Sequence, residues 1–122
     1  MVEEHSAEPR SVGHVVGMLR TLSDPTRLRL LTVLLDGELS VSALCDRLHL
    51  AQPTVSHHLG RLRTARLVAN RRAGKQVFYS LNEELVSHPG EDHGLAIATG
   101  PLELRITGPE VNGSANGEGE ET

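Results

Sequence analysis

The decapeptide TVSHHLGRLR, Thr54 to Arg63, sets two adjacent histidines between a hydroxyl side chain and two arginines. Imidazoles invite a transition metal, and arginines at helical spacing invite phosphate. Neighbouring residues on a helix point about 100° apart, so His57 and His58 do not share one ion there. The apolar positions orient the helix. Val55, Leu59 and Leu62 form an inward face, which turns Thr54, His57, Arg61 and Thr64 to solvent. His58 falls beside Val55 and Leu62 and reads as a packed, hydrogen-bonded histidine.

Charge sharpens the phosphate reading. From Ala51 to Leu81 there are six bases (Arg61, Arg63, Arg66, Arg71, Arg72, Lys75) and no acid. The whole 122-residue chain carries 12 bases, 16 acids and a net charge of −4, so the remainder stands at −10. A +6 block inside an acidic protein is the electrostatic footprint of a polyanion site.

The elements that must position these groups follow from periodicity. Val12, Val15, Val16, Leu19 and Leu22 make one stripe of a first helix weakened by Gly13 and Gly17. In SDPTRLRLLTVLLDGE, Ser23 or Asp24 caps a second helix with Pro25 in its first turn, and Asp36-Gly37 ends it. Its leucines cover nearly all sides, so it is central. Ser40 caps a short third helix whose Val41, Leu44, Cys45 and Leu48 share one face. After a tight turn the fourth helix runs from about Pro53 to Ala65, completing a helix-turn-helix. From Leu67 the period becomes two. LVANRR and KQVFYSL flank Ala-Gly as a β-hairpin with Arg71, Arg72 and Lys75 near its tip.

Helix-turn-helix plus basic hairpin makes a winged helix, α+β and mostly α, with four helices and a β-hairpin wing. Here the chain resembles the ArsR/SmtB-type winged-helix repressors. LSDPTRLRLL is similar to the opening of that family's second helix, QPTVSHHLGRLRTARLV to its recognition helix, and RRAGKQVFYSL to its wing. The resemblance implies a homodimeric repressor on a palindromic double-stranded DNA operator. Gln52, Thr54, Ser56 and His57 would face bases. Arg61, Arg63, Arg71, Arg72 and Lys75 would face phosphate or the minor groove. The chain departs from the family pattern at Ala51, a poor N-cap where Ser or Thr is common, and at His49, which must take the left-handed turn position usual for glycine.

Four regions follow: a loose arm over residues 1–10, the winged helix over 11–81, an extension over 82–108, and an acidic tail over 109–122 too polar to fold. In the extension EELVSH suggests a helical turn or two, and LAIATGPLELRIT one or two strands. This atypical β segment replaces a long terminal helix and is a candidate for dimerisation. The core must be aliphatic, since Phe78 and Tyr79 are the sole aromatics, and its small size also favours a dimer. One cysteine excludes an internal disulfide and suits a reducing cytosol, and no apolar run reaches the length of a membrane span. The sequence therefore predicts a soluble cytoplasmic protein with no membrane partner.

Many proteins of the resembling family release DNA when a metal binds a Cys-x-Cys pair. In ELSVSALC those thiolates are Ser40 and Ser42, poor ligands for soft or borderline metals, and Cys45 reads as a small core residue. His14 with His88, Asp92 and His93 of SHPGEDH offers a different, N/O set suited to Ni or Zn, assembled across a dimer. A repressor without metal, controlled by another ligand or a co-regulator protein, stays open. So does an interaction module that has lost DNA binding. No nucleophile–base pair, phosphate-cradling loop or H-E-x-x-H spacing suggests an enzyme.

Overall fold

Asp24 starts the central helix. Its carboxylate accepts from the backbone N–H groups of Thr26 (2.8 Å) and Arg27 (3.1 Å), satisfying two donors that a helix leaves orphaned. A computed structural model describes residues 12–88 and 94–107. The expected arm over residues 1–10 and tail over 109–122 lie outside the described residues.

Helix α1 (Val12–Leu22) leads into α2 (Pro25–Leu34), and Gly37 at φ +131° takes the chain out of the second helix. Strand β1 (Leu39–Ser40) runs directly into α3 (Val41–Leu48), where Ser40 Oγ accepts from Ala43 N at 3.0 Å as the expected cap. His49 then takes φ 58°, ψ 45°, the left-handed corner foreseen for it, and α4 (Gln52–Thr64) follows. Strands β2 (Val68–Ala73) and β3 (Gln76–Leu81) pair antiparallel from Val68↔Leu81 to Ala73↔Gln76. Their two-residue loop opens with Gly74 at φ +65°, a sign that suits the right-handed twist of a hairpin. Strand β1 adds to the far side of β3, giving the order β1-β3-β2. This is the expected winged helix, with a third strand too short for any periodic signature.

The C-terminal part folds as an antiparallel meander, β4 (Val86–Ser87), β5 (Leu95–Thr99) and β6 (Leu102–Ile106). The alternation expected for this segment is present: Leu95, Ile97 and Thr99 are buried between exposed or half-buried neighbours. The helical turns expected in EELVSH do not form beyond one turn. Asn82 Oδ1 accepts from Glu84 N (3.1 Å) and Asn82 O from Val86 N (2.9 Å), after which Val86 pairs with Ile97. A strand partner outcompetes a four-residue helix that has nothing to pack on.

One aliphatic core joins both sheets and all four helices. It includes Leu30, Leu31 and Leu44, with Leu67 behind the wing and Val86, Leu95 and Ile97 from the meander. The segment after the wing is thus built into the same core rather than appended to it. The stripe expected on α1 is only partly covered. Met18 and Leu22 point in, while Val12, Val16 and Leu19 remain 78%, 39% and 43% exposed. Among the described residues no helix is long and apolar enough to cross a membrane.

Helix α4 begins at Ala51 with no side-chain cap. Ala51→Ser supplies the missing oxygen and should stabilise the protein by about 0.5–2 kcal/mol, read as a rise in melting temperature. An unchanged melt would mean that the first turn of α4 is already satisfied by other groups.

Candidate nucleic-acid interface

Val55, Leu59 and Leu62 are fully buried and pin the inner face of α4. Each such side chain is worth about 1.5–3 kcal/mol of burial, enough to fix the rotation of the helix about its axis. With that face inward, Gln52, Thr54, His57, Arg61 and Arg63 are all exposed, and Ser56 is half-buried. Gln52 Nε2 donates to Ser56 Oγ at 2.7 Å, so the first outward turn is internally ordered. Gly60 lies on the same exposed side, and a Cβ built there would meet nothing within 4 Å. The outward surface is shallow at its middle and cationic at its C-terminal end.

His58 has the packed role expected of it. Arg27 of α2 approaches His58 Nδ1 at 3.1 Å through Nη1, and its Nε donates to Thr21 O at 2.6 Å. A guanidinium has no lone pair to offer, so Nδ1 accepts and the imidazole is neutral with its proton on Nε2. Asp24 Oδ1 stands 4.0 Å from the same nitrogen, too far for a hydrogen bond to a ring that is already engaged. Burial holds the His58 pKa below its ordinary value; Asp24 opposes this, and Arg27, His57 and Arg61 add to it. At Asp24 desolvation pushes the other way, yet the N–H groups of Arg27 and Thr26 and the charge of Arg27 leave its carboxyl lowered. Arg27 thus ties the end of α1 and the middle of α4 to α2. Sequence reasoning found the histidine's inward side but missed Arg27, because nothing in a helical repeat marks a cross-helix hydrogen bond.

The wing cations divide into two kinds. Arg71 makes a bidentate pair with Glu38, Nε to Oε2 and Nη2 to Oε1 both at 2.8 Å, and its guanidinium carbon lies 4.8 Å from the centre of the Phe78 ring. That hydrogen bond holds the Glu38 pKa below its ordinary value. Arg71 is therefore engaged within the protein and fixes the wing to the strand entering α3. Arg72 and Lys75 are exposed and form no ion pair among the described residues. Between the wing and the starts of α3 and α4 lies an open groove of about 530 Å³, lined by Ser42, Cys45, Gln52, Lys75 and Tyr79 among others. The other end of α4 turns into the wing through Arg66 at φ 68°, a strained conformation held by Asn82 Nδ2 donating to Arg66 O at 2.7 Å.

Of the alternative N/O metal set, two members fall among the described residues. His14 Nε2 is hydrogen-bonded to Thr99 Oγ1 at 2.8 Å, His88 is exposed at the end of β4, and Asp92 and His93 lie outside the described residues. Ser40, at the first Cys-x-Cys position, spends its oxygen on the α3 cap. Among the described residues no three His, Cys, Asp or Glu side chains converge as a metal site would require.

The model of the bacterial regulatory protein family named arsR matches residues 24–70, which span α2 through the first half of β2. A biofilm growth-associated repressor of Xylella fastidiosa is 43% identical over 74 residues, 61% of this chain and 65% of that protein, so the match spans just under two thirds of this relative. The HTH-type transcriptional repressor SmtB of Mycobacterium tuberculosis is 36% identical over 93 residues, 69% of each chain. Among solved structures, the transcriptional repressor BigR from Xylella fastidiosa superposes with a TM-score of 0.56 at 42% identity, covering 66% of this chain and 82% of that one. These relatives are transcriptional regulators, not enzymes.

The neutral state of His58 has a pH consequence. Its lowered pKa means the unfolded chain takes up this proton more readily than the native one. The stability it contributes is complete above about pH 6.5, the unfolded value, and is lost as pH falls through that value towards the folded one. Between pH 7.5 and 5.5 the melting temperature should therefore drop more steeply for the natural chain than for His58→Gln. Asp24 does not intervene, since its lowered carboxyl titrates well below this window. Parallel pH slopes would remove His58 from the account.

Proposed function

Since the chain belongs to the ArsR family of bacterial regulatory proteins, we propose that it is a sequence-specific DNA-binding transcriptional repressor acting as a homodimer on a palindromic operator. The observation that carries this reading is the exposed surface of α4 and the wing, whose own charged side chains are all bases from residue 51 to residue 81. Among the described residues Arg71 alone of these is paired with a carboxylate, Glu38 from outside that stretch. Helix α4 enters the major groove, with Gln52, Thr54, Ser56 and His57 towards base edges. Arg61 and Arg63 sit further along its axis at phosphate, and Arg72 and Lys75 at the adjacent backbone. Dimerisation is supported by the apolar strip that α1 leaves in solvent, Val12, Val16 and Leu19.

Mobility shifts on a palindromic site and on random DNA, across a salt series, test the assignment. Arg72→Ala or Lys75→Ala should weaken binding to both DNAs and reduce the slope of log affinity against log salt by roughly one. Arg71→Ala should change that slope less, since its charge is already paired with Glu38. His57→Ala should alter which operator is preferred while leaving random DNA almost unaffected. Equal losses on both DNAs for His57→Ala would remove it from base reading, and binding insensitive to salt would remove the repressor reading itself.

A further inference from the structure

Strand β6 ends its sheet with an open edge: the order is β4-β5-β6, and among the described residues no strand lies beyond β6. Its direction of hydrogen bonding can be read from its neighbour. Ala98 N donates to Leu85 O on the β4 side at 2.9 Å, so the pair Ala98↔Glu103 is a non-hydrogen-bonded one in the β5–β6 ladder. Glu103, and by the period of two Arg105, therefore turn their own N–H and C=O groups outward, away from β5. Among the described residues these backbone groups find no strand partner, which makes the edge a template for another chain.

The side chains say which chain. Strand β6 reads Leu-Glu-Leu-Arg-Ile, with Leu102, Leu104 and Ile106 half-buried and Glu103 and Arg105 exposed. Opposed antiparallel to a second copy of itself about a twofold axis at Leu104, it sets Glu103 against the partner's Arg105 and Arg105 against the partner's Glu103. Leu102 then meets Ile106, and Leu104 meets its twin. The oppositely charged residues are also the ones with outward backbone groups, so each such pair exchanges two hydrogen bonds. Moving the axis by one residue opposes Glu103 to Glu103 or Arg105 to Arg105. The sequence selects one register.

We propose that β6 pairs edge to edge with β6 of a second copy, fusing the two meanders into one six-stranded antiparallel sheet. This rests on the homodimer reading above and gives that dimer a contact through the meander in addition to the α1 strip. The seam also completes the cover of the apolar side chains that one copy leaves half-exposed at Leu102, Leu104 and Ile106.

Sedimentation equilibrium on the full chain tests it, with circular dichroism to check that each variant is folded. Glu103→Arg sets two arginine pairs across the seam, and Arg105→Glu two glutamate pairs. Each should weaken the dimer by about tenfold. The doubly substituted chain, Glu103→Arg with Arg105→Glu, should return to within about threefold of the natural protein. An equimolar mixture of the two single variants should form a mixed dimer, a rescue that mere loss of folding does not produce. A natural chain that is dimeric, with both single variants equally dimeric, would overturn the seam and leave the homodimer standing. A natural chain that stays monomeric would overturn both.

Discussion

The rotation of α4 about its own axis decides what this protein can touch, and buried groups on one side of the helix set it. Val55, Leu59 and Leu62 have no exposed surface, so turning the helix by even one residue would place a charged or hydroxyl side chain in an aliphatic core. His58 adds a directional constraint where dispersion alone would be forgiving. Its ring accepts from Arg27, and Arg27 is itself anchored on the carbonyl of Thr21. A hydrophobic face fixes which side of a helix is inside, and the hydrogen bond resists sliding along it. Together they aim Gln52, Thr54, His57, Arg61 and Arg63 outward without any of those residues contributing to the core.

The wing answers a different problem, since a basic hairpin repels itself and has one thin layer of its own. Its inner face and base place Leu67, Val68 and Tyr79 in the core, and β3 becomes its central strand through the two pairs from Leu39 and Ser40. Asn70 Nδ2 reaches the Tyr79 hydroxyl at 3.3 Å, so the one buried phenol is not left without a partner. Among the described residues Arg71 alone of the block's cations pairs with a carboxylate, and the pair offsets the hairpin's excess charge beside the start of β1.

Much of this was legible in the residues, for stated physical reasons. Helix periodicity located the core faces of α2, α3 and α4, because burial of aliphatic side chains dominates the energetics at those positions. The caps at Asp24 and Ser40 and the left-handed turn at His49 follow from local stereochemistry and were equally readable. The strands after Gly94 announced themselves by alternation. What stayed hidden depends on partners distant in sequence. Strand β1 has two residues and exists only because β3 lies beside it. The segment EELVSH stops at one turn, closed on Asn82, because Val86 finds a strand partner in Ile97 that its local sequence does not show. The expected stripe on α1 was real as a pattern but wider than the core that receives it. The pairs Arg71–Glu38 and His14–Thr99 stay hidden for the same reason as β1, their members lying 33 and 85 residues apart.

The bidentate clasp of Arg71 on Glu38 has a consequence for docking. Glu38 lies immediately before β1 and α3, so the clasp makes the hairpin and the helix-turn-helix a single caliper whose jaws keep a set opening. A duplex entering that caliper meets arms that are already arranged, and little conformational freedom is surrendered on contact. The same rigidity works as a gauge. Grooves whose width departs from the opening must deform to fit, so part of the selectivity would be exercised against duplex shape, at base pairs no side chain reaches.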